Sequence, residues 1–497
     1  MKKFTITVIS LFMVLLISLS AISEAMGTSS KYASNQDYIQ SENLALKDKS
    51  NKMTDGKDGT VYRFKTRNGG EAVIDLGESC DFNSVILKEK GLNVQKFTIS
   101  VSDDNENFTQ IYANDKIEFH RLCTFDTVKA RYVKLTVEKS DNLPKIREME
   151  IYNAVPEKKN DFRVSTYSTL GGSVFGIIDD TTLSDAEKDA KIKELIDADY
   201  YDTVTDYIDI GNVRWDEEGI IHTDGWDGIE RDEDKYYAVM MRNLHEVLDE
   251  KDVNLVITIL NPSGENGNQR VMKSITENRD TLITNMIAFA NKYEFDGIDL
   301  DWEFPMSQDE FDAYNSFLQE LKARMKTEMW NKEDATLSLA LGTWALKYTP
   351  EAIECIDYVN VMGYDILDQD GQHSSFFSSC VQAADYIESQ GFSKEQINIG
   401  FPFYGTWEGG RMEQYAYNAI SEEISPFNNF YTMKKSDTKE DRYTYFNSQA
   451  IIRDKTAYAY LKGYGGVMIF SQYCDLPSDD ERSLTKAISD YLQEVTK

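Results

Sequence analysis

The stretch FDGIDLDWEFP, Phe295 to Pro305, holds four carboxyls: Asp296, Asp299, Asp301 and Glu303. The last three alternate, with apolar residues between them. In a strand successive side chains point to opposite faces and advance roughly 3.3 Å each, so these three would line about 13 Å of one surface. Burying them there is costly unless they are used. Proton transfer is the use such a row suits. Neighbouring negative charge disfavours a further ionisation, so one carboxyl stays protonated and can donate while another remains anionic. Glu303, last on the face, suits the donor. Asp296 is out of phase with the others and takes a supporting part.

The surrounding pattern says what positions the row. Before it, DTLITNMIAFANKY places Leu282, Ile283, Met286, Ile287 and Ala290 at helical spacing. After it, Ser307 and Glu310 form a capping box, and Phe311, Tyr314, Phe317, Leu321 and Met325 make the next apolar stripe. A strand between two such helices is not a solvated edge. Further strand candidates are FRVSTYS, TVTDYIDIG, NLVITIL, TLSLALG, YVNVMGY, INIGFPF and GGVMIF. With the acidic strand they make eight, alternating with helices from about residue 160 to 497. That count predicts an α/β (β/α)8 TIM barrel with its working residues at the strand C-terminal ends.

A different periodicity precedes the barrel. EAVIDLG, FNSVILKE, VQKFTISVS, RYVKLTVE and IREMEIYN are short alternating runs between turn signals, which predicts an all-β sandwich over residues 27–155. The polar AVPEKKND that follows reads as a linker to a separable module. Residues 1–25 read as a signal peptide: Lys2 and Lys3, the apolar VISLFMVLLISL, then small residues at Ser23 and Ala25. The expectation is a secreted, extracellular chain with no membrane segment after signal removal. A net charge of −32 argues against nucleic acid and anionic membranes, both of which need a basic footprint. Five cysteines are too few, and odd in number, for a disulfide framework; Cys80 and Cys123 are the pair that could join within the first domain.

The pattern Asp296-x-x-Asp299-x-Asp301-x-Glu303 resembles the signature of glycoside hydrolase family 18, the chitinase family. MGYD at Met362–Asp365 looks like its sixth-strand motif, GFPFYG at Gly400–Gly405 its seventh and GGVMIF its eighth. The first domain, with NLAL, DGKDGT, VIDLG, FTISVSDD and ARYVKLTV, is similar to discoidin-like (coagulation factor C-type) carbohydrate-binding modules. Hydrolysis of a glycosidic bond needs an acid on the leaving oxygen and anionic support for the charge at the anomeric carbon. The resemblance implies that Glu303 is that acid, that Asp301 holds the N–H of the substrate's 2-acetamido group while its oxygen attacks, that Asp299 couples to Asp301 from beneath, and that Tyr364 donates to the acetamido carbonyl. Asp365 and Met362 would help bind the sugar, and Thr258 would support the acids.

Tyr167, Trp302, Trp344, Tyr404 and Trp407 are each either core or a stacking platform for a sugar ring. The family's eighth-strand Trp is Phe470 here, and its third-strand Ser-x-Gly-Gly becomes VITILNPSG, with Thr258 in the Ser register. The seventh-to-eighth connection, Thr406 to Tyr464, holds about 59 residues, short for an inserted wall, so an open groove is expected. In discoidin-like modules the loop corresponding to DGKDGT often holds a structural calcium, which implies Asp55, Asp58, Thr60 and Glu148 as oxygen ligands; catalysis itself calls for no cofactor. The expected partner is chitin or another N-acetylglucosamine-containing glycan, met by a monomer. The leading expectation is a chitinase-like endo-hydrolase. The alternatives are an endo-β-N-acetylglucosaminidase acting on N-glycans and a non-catalytic chitin-binding lectin, which would usually have lost Glu303.

Overall fold

The computed structural model describes residues 38–496 apart from 49–50, 58, 198–201, 225–228, 230, 367–374, 408–409, 420–424, 435–440 and 478. Residues 1–25, the expected signal peptide, therefore lie outside the described residues. Among those described, no helix is long and apolar enough to cross a membrane.

The N-terminal alternation becomes six antiparallel strands: β1 (Tyr62–Arg63), β2 (Gly70–Glu89), β3 (Val94–Ser102), β4 (Thr109–Asn114), β5 (Arg121–Ser140) and β6 (Lys145–Tyr152), in the order β1-β6-β2-β5-β3-β4. They form one connected sheet because β2 and β5 run for 20 residues each and shift register at Asp75/Cys80 and Phe82/Ser84. Such irregularities bend a strand, which lets one long strand serve two faces. Phe82, Phe97, Ile99, Leu135 and Met149 fill the core between them. All five cysteines are free, so the possible Cys80–Cys123 bridge is absent; each pairs across the β2–β5 ladder with another residue, Cys80 with Ala130 and Cys123 with Val85.

From Arg163 onward the chain forms the expected closed barrel. Its eight parallel strands are β7 (Arg163–Ser168), β8 (Asp206–Trp215), β10 (Asn254–Leu260), β11 (Gly297–Leu300), β12 (Thr336–Leu341), β13 (Tyr358–Val361), β14 (Ile397–Pro402) and β19 (Gly466–Phe470). Pairing of β19 with β7, Phe470 opposite Tyr167, closes the ring. The short β9 (Ile221–His222) adds to the end of β8. The capping box at Ser307 and Glu310 starts helix Gln308–Glu328, whose expected stripe is buried. Between β14 and β19 the chain is more than a loop. There β15 (Tyr404–Trp407), β16 (Gly410–Ala416), β17 (Phe430–Lys434) and β18 (Asp441–Tyr445) make a separate four-stranded antiparallel sheet, so the length of the connection understated its content.

The sandwich expected as a module of its own packs directly against the barrel. Helix Gln449–Lys462, on the outside of the barrel, docks against β5. Its Asp454 accepts hydrogen bonds from the Thr124 backbone (2.8 Å) and hydroxyl (2.9 Å), from Tyr112 Oη (2.5 Å) and from Arg121 Nη2 (3.3 Å). Arg121 and Asp454 are both 0% exposed. Tyr38 stands edge-on to Tyr458, and Ile86, Leu122 and Tyr152 of the N-terminal domain join the apolar cluster of the barrel's helical layer. A polar linker sequence cannot announce this, because the contacts lie far from it along the chain.

Candidate active site

The strand β11 ends at Leu300, so Asp299 lies within the sheet while Asp301 and Glu303 follow its end. The row is therefore a strand residue and two residues of the barrel mouth, not three of one regular strand. Asp299 is fully buried. In the parallel register it sits between Thr258 of β10 and Ser338 of β12. Both donate to it, Ser338 Oγ at 2.6 Å and Thr258 Oγ1 at 2.8 Å, and Tyr167 Oη adds a third bond at 3.1 Å. Burial raises its pKa and these donors oppose the rise. Beneath, Asn360 Nδ2 donates to Tyr167 Oη and Asn398 Nδ2 to Asn360 Oδ1, each at 3.1 Å. Ser338, Asn360 and Asn398 were missed in the sequence; their signal was a polar residue at the inward position of an otherwise apolar strand.

Asp301 is half-buried, and its Oδ1 is enclosed with no donor among the described residues. Burial, then Glu303, then Asp299 hold its pKa well above the ordinary carboxylate value. Glu303 keeps one face open to solvent while protein crowds the rest of it. The crowding is the larger influence and Asp365 the next; together they lift its pKa to about 7. Water on the open face limits that rise. Asp365, a residue of the sixth strand's end, is thus a negative neighbour of Glu303 in addition to Asp301. Asp365 Oδ1 accepts from Tyr404 Oη at 2.8 Å. Tyr364 lies in the field of all four acids, Asp365, Asp301, Glu303 and Asp299, which with burial raises its phenol pKa.

The aromatic candidates separate into three fates. Phe470 packs among Tyr364 (5.9 Å, stacked), Tyr167 (5.9 Å) and Tyr404 (6.3 Å). Tyr167 and Tyr404 are buried and use their hydroxyls on Asp299 and Asp365, so neither offers a free face as a stacking platform. Trp302 is core: it is buried, donates to Asn268 Oδ1 at 3.1 Å and stands edge-on to Tyr314. Trp344 is 45% exposed and lies against Phe304, the residue after Glu303, at 4.4 Å. Phe304 was not singled out in the sequence. Trp407 is on β15 but its side chain lies outside the described residues. Met362 is half-buried against the barrel interior. Asp296 is at the opposite end of β11 from the mouth, where its Oδ2 accepts from Leu255 N at 2.8 Å and fastens β11 to β10. Gly400 is needed for close approach: a Cβ there would lie 2.3 Å from Val361 O and 3.0 Å from the Tyr364 ring.

In the N-terminal domain, Asp55, Thr60 and Glu148 come to one turn, while Asp58 is outside the described residues. Thr60 Oγ1 donates to Asp55 at 2.8 Å, and Glu148 accepts from the backbones of Lys57 (2.8 Å) and Gly56 (3.3 Å). Oxygen donors of this kind suit a hard cation, though each is engaged by a hydrogen bond here. Among the described residues no group of three or more His, Cys, Asp or Glu could hold a metal.

The family model for glycosyl hydrolases family 18 matches residues 147–475, about two thirds of the chain. The chain belongs to glycosyl hydrolase family 18. The F5/8 type C domain model matches residues 29–149, so the family 18 barrel follows a discoidin-like domain. Chitinase A1 of Niallia circulans is 27% identical over 269 residues, 41% of this chain and 38% of that protein. The killer toxin subunits alpha/beta of Kluyveromyces lactis are 38% identical over 104 residues, 18% of this chain and 9% of that protein. Both stretches are well under two thirds of the relatives' own lengths. The crystal structure of the Group IV chitinase of Ostrinia furnacalis shares the fold at TM-score 0.51, with 18% identity, 67% of this chain and all of that one covered.

Proposed function

We propose that this family 18 chain is a secreted, monomeric endo-hydrolase of β-1,4 bonds between N-acetylglucosamine units, working by substrate-assisted, retaining catalysis. The observation that carries the reading is the pairing of Asp301, whose enclosed Oδ1 has no donor among the described residues, with Glu303, whose pKa is lifted to about 7. Glu303 supplies a proton to the leaving oxygen near neutral pH. Asp301 takes the acetamido N–H as the acetamido oxygen attacks the anomeric carbon, and Tyr364 donates to that oxygen's carbonyl before attack. Asp299, held by three donors, gives Asp301 a fixed carboxyl neighbour. Exposed Trp344 offers its ring to a sugar unit on the same side as Glu303.

The deciding experiment follows the nascent anomer by proton NMR during cleavage of a chitin oligomer, beside a high-mannose glycoprotein. The expected first product is the β-anomer, from the oligomer. Asp301→Asn should lose most of the turnover, because an amide cannot ionise to support the positive charge that spreads into the ring. An initial α-anomer would replace the acetamido mechanism by direct attack of water. Cleavage of the glycoprotein alone would change the substrate.

A further inference from the structure

Helix Phe377–Ser389 leads away from the segment after Met362–Asp365, and it begins without a cap of its own: Phe376, at the N-cap, makes no side-chain hydrogen bond to the first turn. The missing acceptor comes from the other domain. Glu118 accepts from Ser378 N at 2.6 Å and from Phe377 N at 3.2 Å. A carboxylate there satisfies open backbone donors and complements the positive end of the helix dipole. The rest of residues 118–121 grips the same point. The His120 ring stacks on Phe377 at 6.1 Å, His120 O accepts from Ser378 Oγ at 3.3 Å, and the Arg121 guanidinium lies over Phe377. Glu118 takes a left-handed backbone conformation, φ 66°, to do this. Such a conformation in a non-glycine residue persists only where its surroundings over-determine it.

The capped helix start is two residues from Ser375, and Ser375 reaches the active site. Its Oγ accepts from the backbone N–H of Asp365 at 2.9 Å, while its carbonyl is held by Lys455 Nζ (2.7 Å) and Asn447 Nδ2 (3.1 Å). Asp365 is the acid whose charge acts on Glu303. We infer that Glu118 of the N-terminal domain is a positioning residue for the reaction: by capping helix Phe377–Ser389 it fixes Ser375, and through Ser375 the backbone of Asp365 beside Glu303. The inference rests on the reading of Glu303 as the acid. The discoidin-like domain then shapes the active site as well as offering a surface to glycans.

The test compares the full chain with Glu118→Ala, Glu118→Gln and, as a control elsewhere in the interface, Asp115→Ala, which loses a 2.7 Å bond from Asn429. Two readouts are needed. Amide hydrogen exchange reports the cap directly: Phe377, Ser378 and Asp365 should exchange faster in Glu118→Ala, recover in part in Glu118→Gln and be unchanged in Asp115→Ala. The pH profile of kcat/KM on a chitin oligomer reports the consequence. Glu303 is faced by Asp301 at its own strand end and by Tyr364 and Asp365 from the segment after β13; Glu118 itself is faced by Arg121, Lys455 and Cys380. Loosening Asp365 weakens the charge that raises Glu303, so the basic limb should move down by about half a pH unit or more in Glu118→Ala. Asp115→Ala should lower Tm without moving that limb. Unchanged exchange at Asp365 overturns the coupling, and changed exchange with an unmoved limb overturns the role in the reaction. A wild-type chain with no hydrolysis sinks the reading of Glu303 and this role with it, while exchange still judges the cap.

Discussion

Tyr404 donates its hydroxyl to Asp365 across 2.8 Å, joining the end of the seventh barrel strand to a carboxyl whose charge acts on Glu303. The bond explains why a buried tyrosine stands where a phenylalanine would pack as well. Its ring already meets Tyr364 and Phe470 edge-on.

Tyr404→Phe keeps those ring contacts and removes only the donor. A hydrogen bond to a charged group contributes about 1.5–3 kcal/mol, so kcat/KM should fall roughly tenfold or more while the fold persists. The check is steady-state kinetics on a chitin oligomer beside a melting curve. Unaltered kcat/KM with an unaltered Tm would show that Asp365 is held without this bond.

Glu303 links activity and stability with the same sign: both fall as pH rises through about 7. Catalysis needs its protonated form, so turnover should decline as pH rises through about 7. Its folded pKa stands above its ordinary 4.5, so the stability it contributes is fully present below about 4.5 and is lost as pH rises through about 7. Glu303→Gln acquires no charge. It should lose about 10²–10⁴-fold in turnover and yet melt higher than wild type above pH 7. A Tm difference that does not grow between pH 5 and 8 would contradict the raised pKa.

The domain interface depends on Asp454 and Arg121, both without solvent exposure. Asp454→Ala leaves the guanidinium buried with one partner fewer, and breaking such a pair costs about 3–5 kcal/mol. Calorimetry should show one unfolding transition in wild type and a lower or divided one in the variant. A barrel cut off at about residue 160 exposes the same helix face and should aggregate or melt early. A truncated barrel with wild-type Tm and turnover would make the interface dispensable.

Calcium at the turn 55–60 is proposed from the resemblance to discoidin-like modules. Burial, and after the opposing Lys57 N–H also the Asp55 charge, raise Glu148 to about 7. A bound cation would relieve that repulsion. Adding calcium should therefore raise Tm in wild type and not in Glu148→Gln. An unmoved wild-type Tm would leave the turn held by its hydrogen bonds alone.

Periodicity and short spacing are local properties, and what depended on them was legible before any coordinates. The eight barrel strands, the Ser307–Glu310 capping box and the row from Asp299 to Glu303 each need only a few consecutive residues to declare themselves. What surrounds a side chain is another matter. Trp302 and Trp344 follow the ends of neighbouring strands, yet a helix covers the first while the second keeps 45% of its surface exposed. Tyr167 reaches Asp299 only because ring closure brings the first strand round to face the fourth. Asp454 reads as an ordinary helix charge in the sequence, since its partner Arg121 is 333 residues away. Glu118 lies 260 residues from Ser378. Such pairs are set by the packing of one whole domain against another, and no pattern within either segment encodes them.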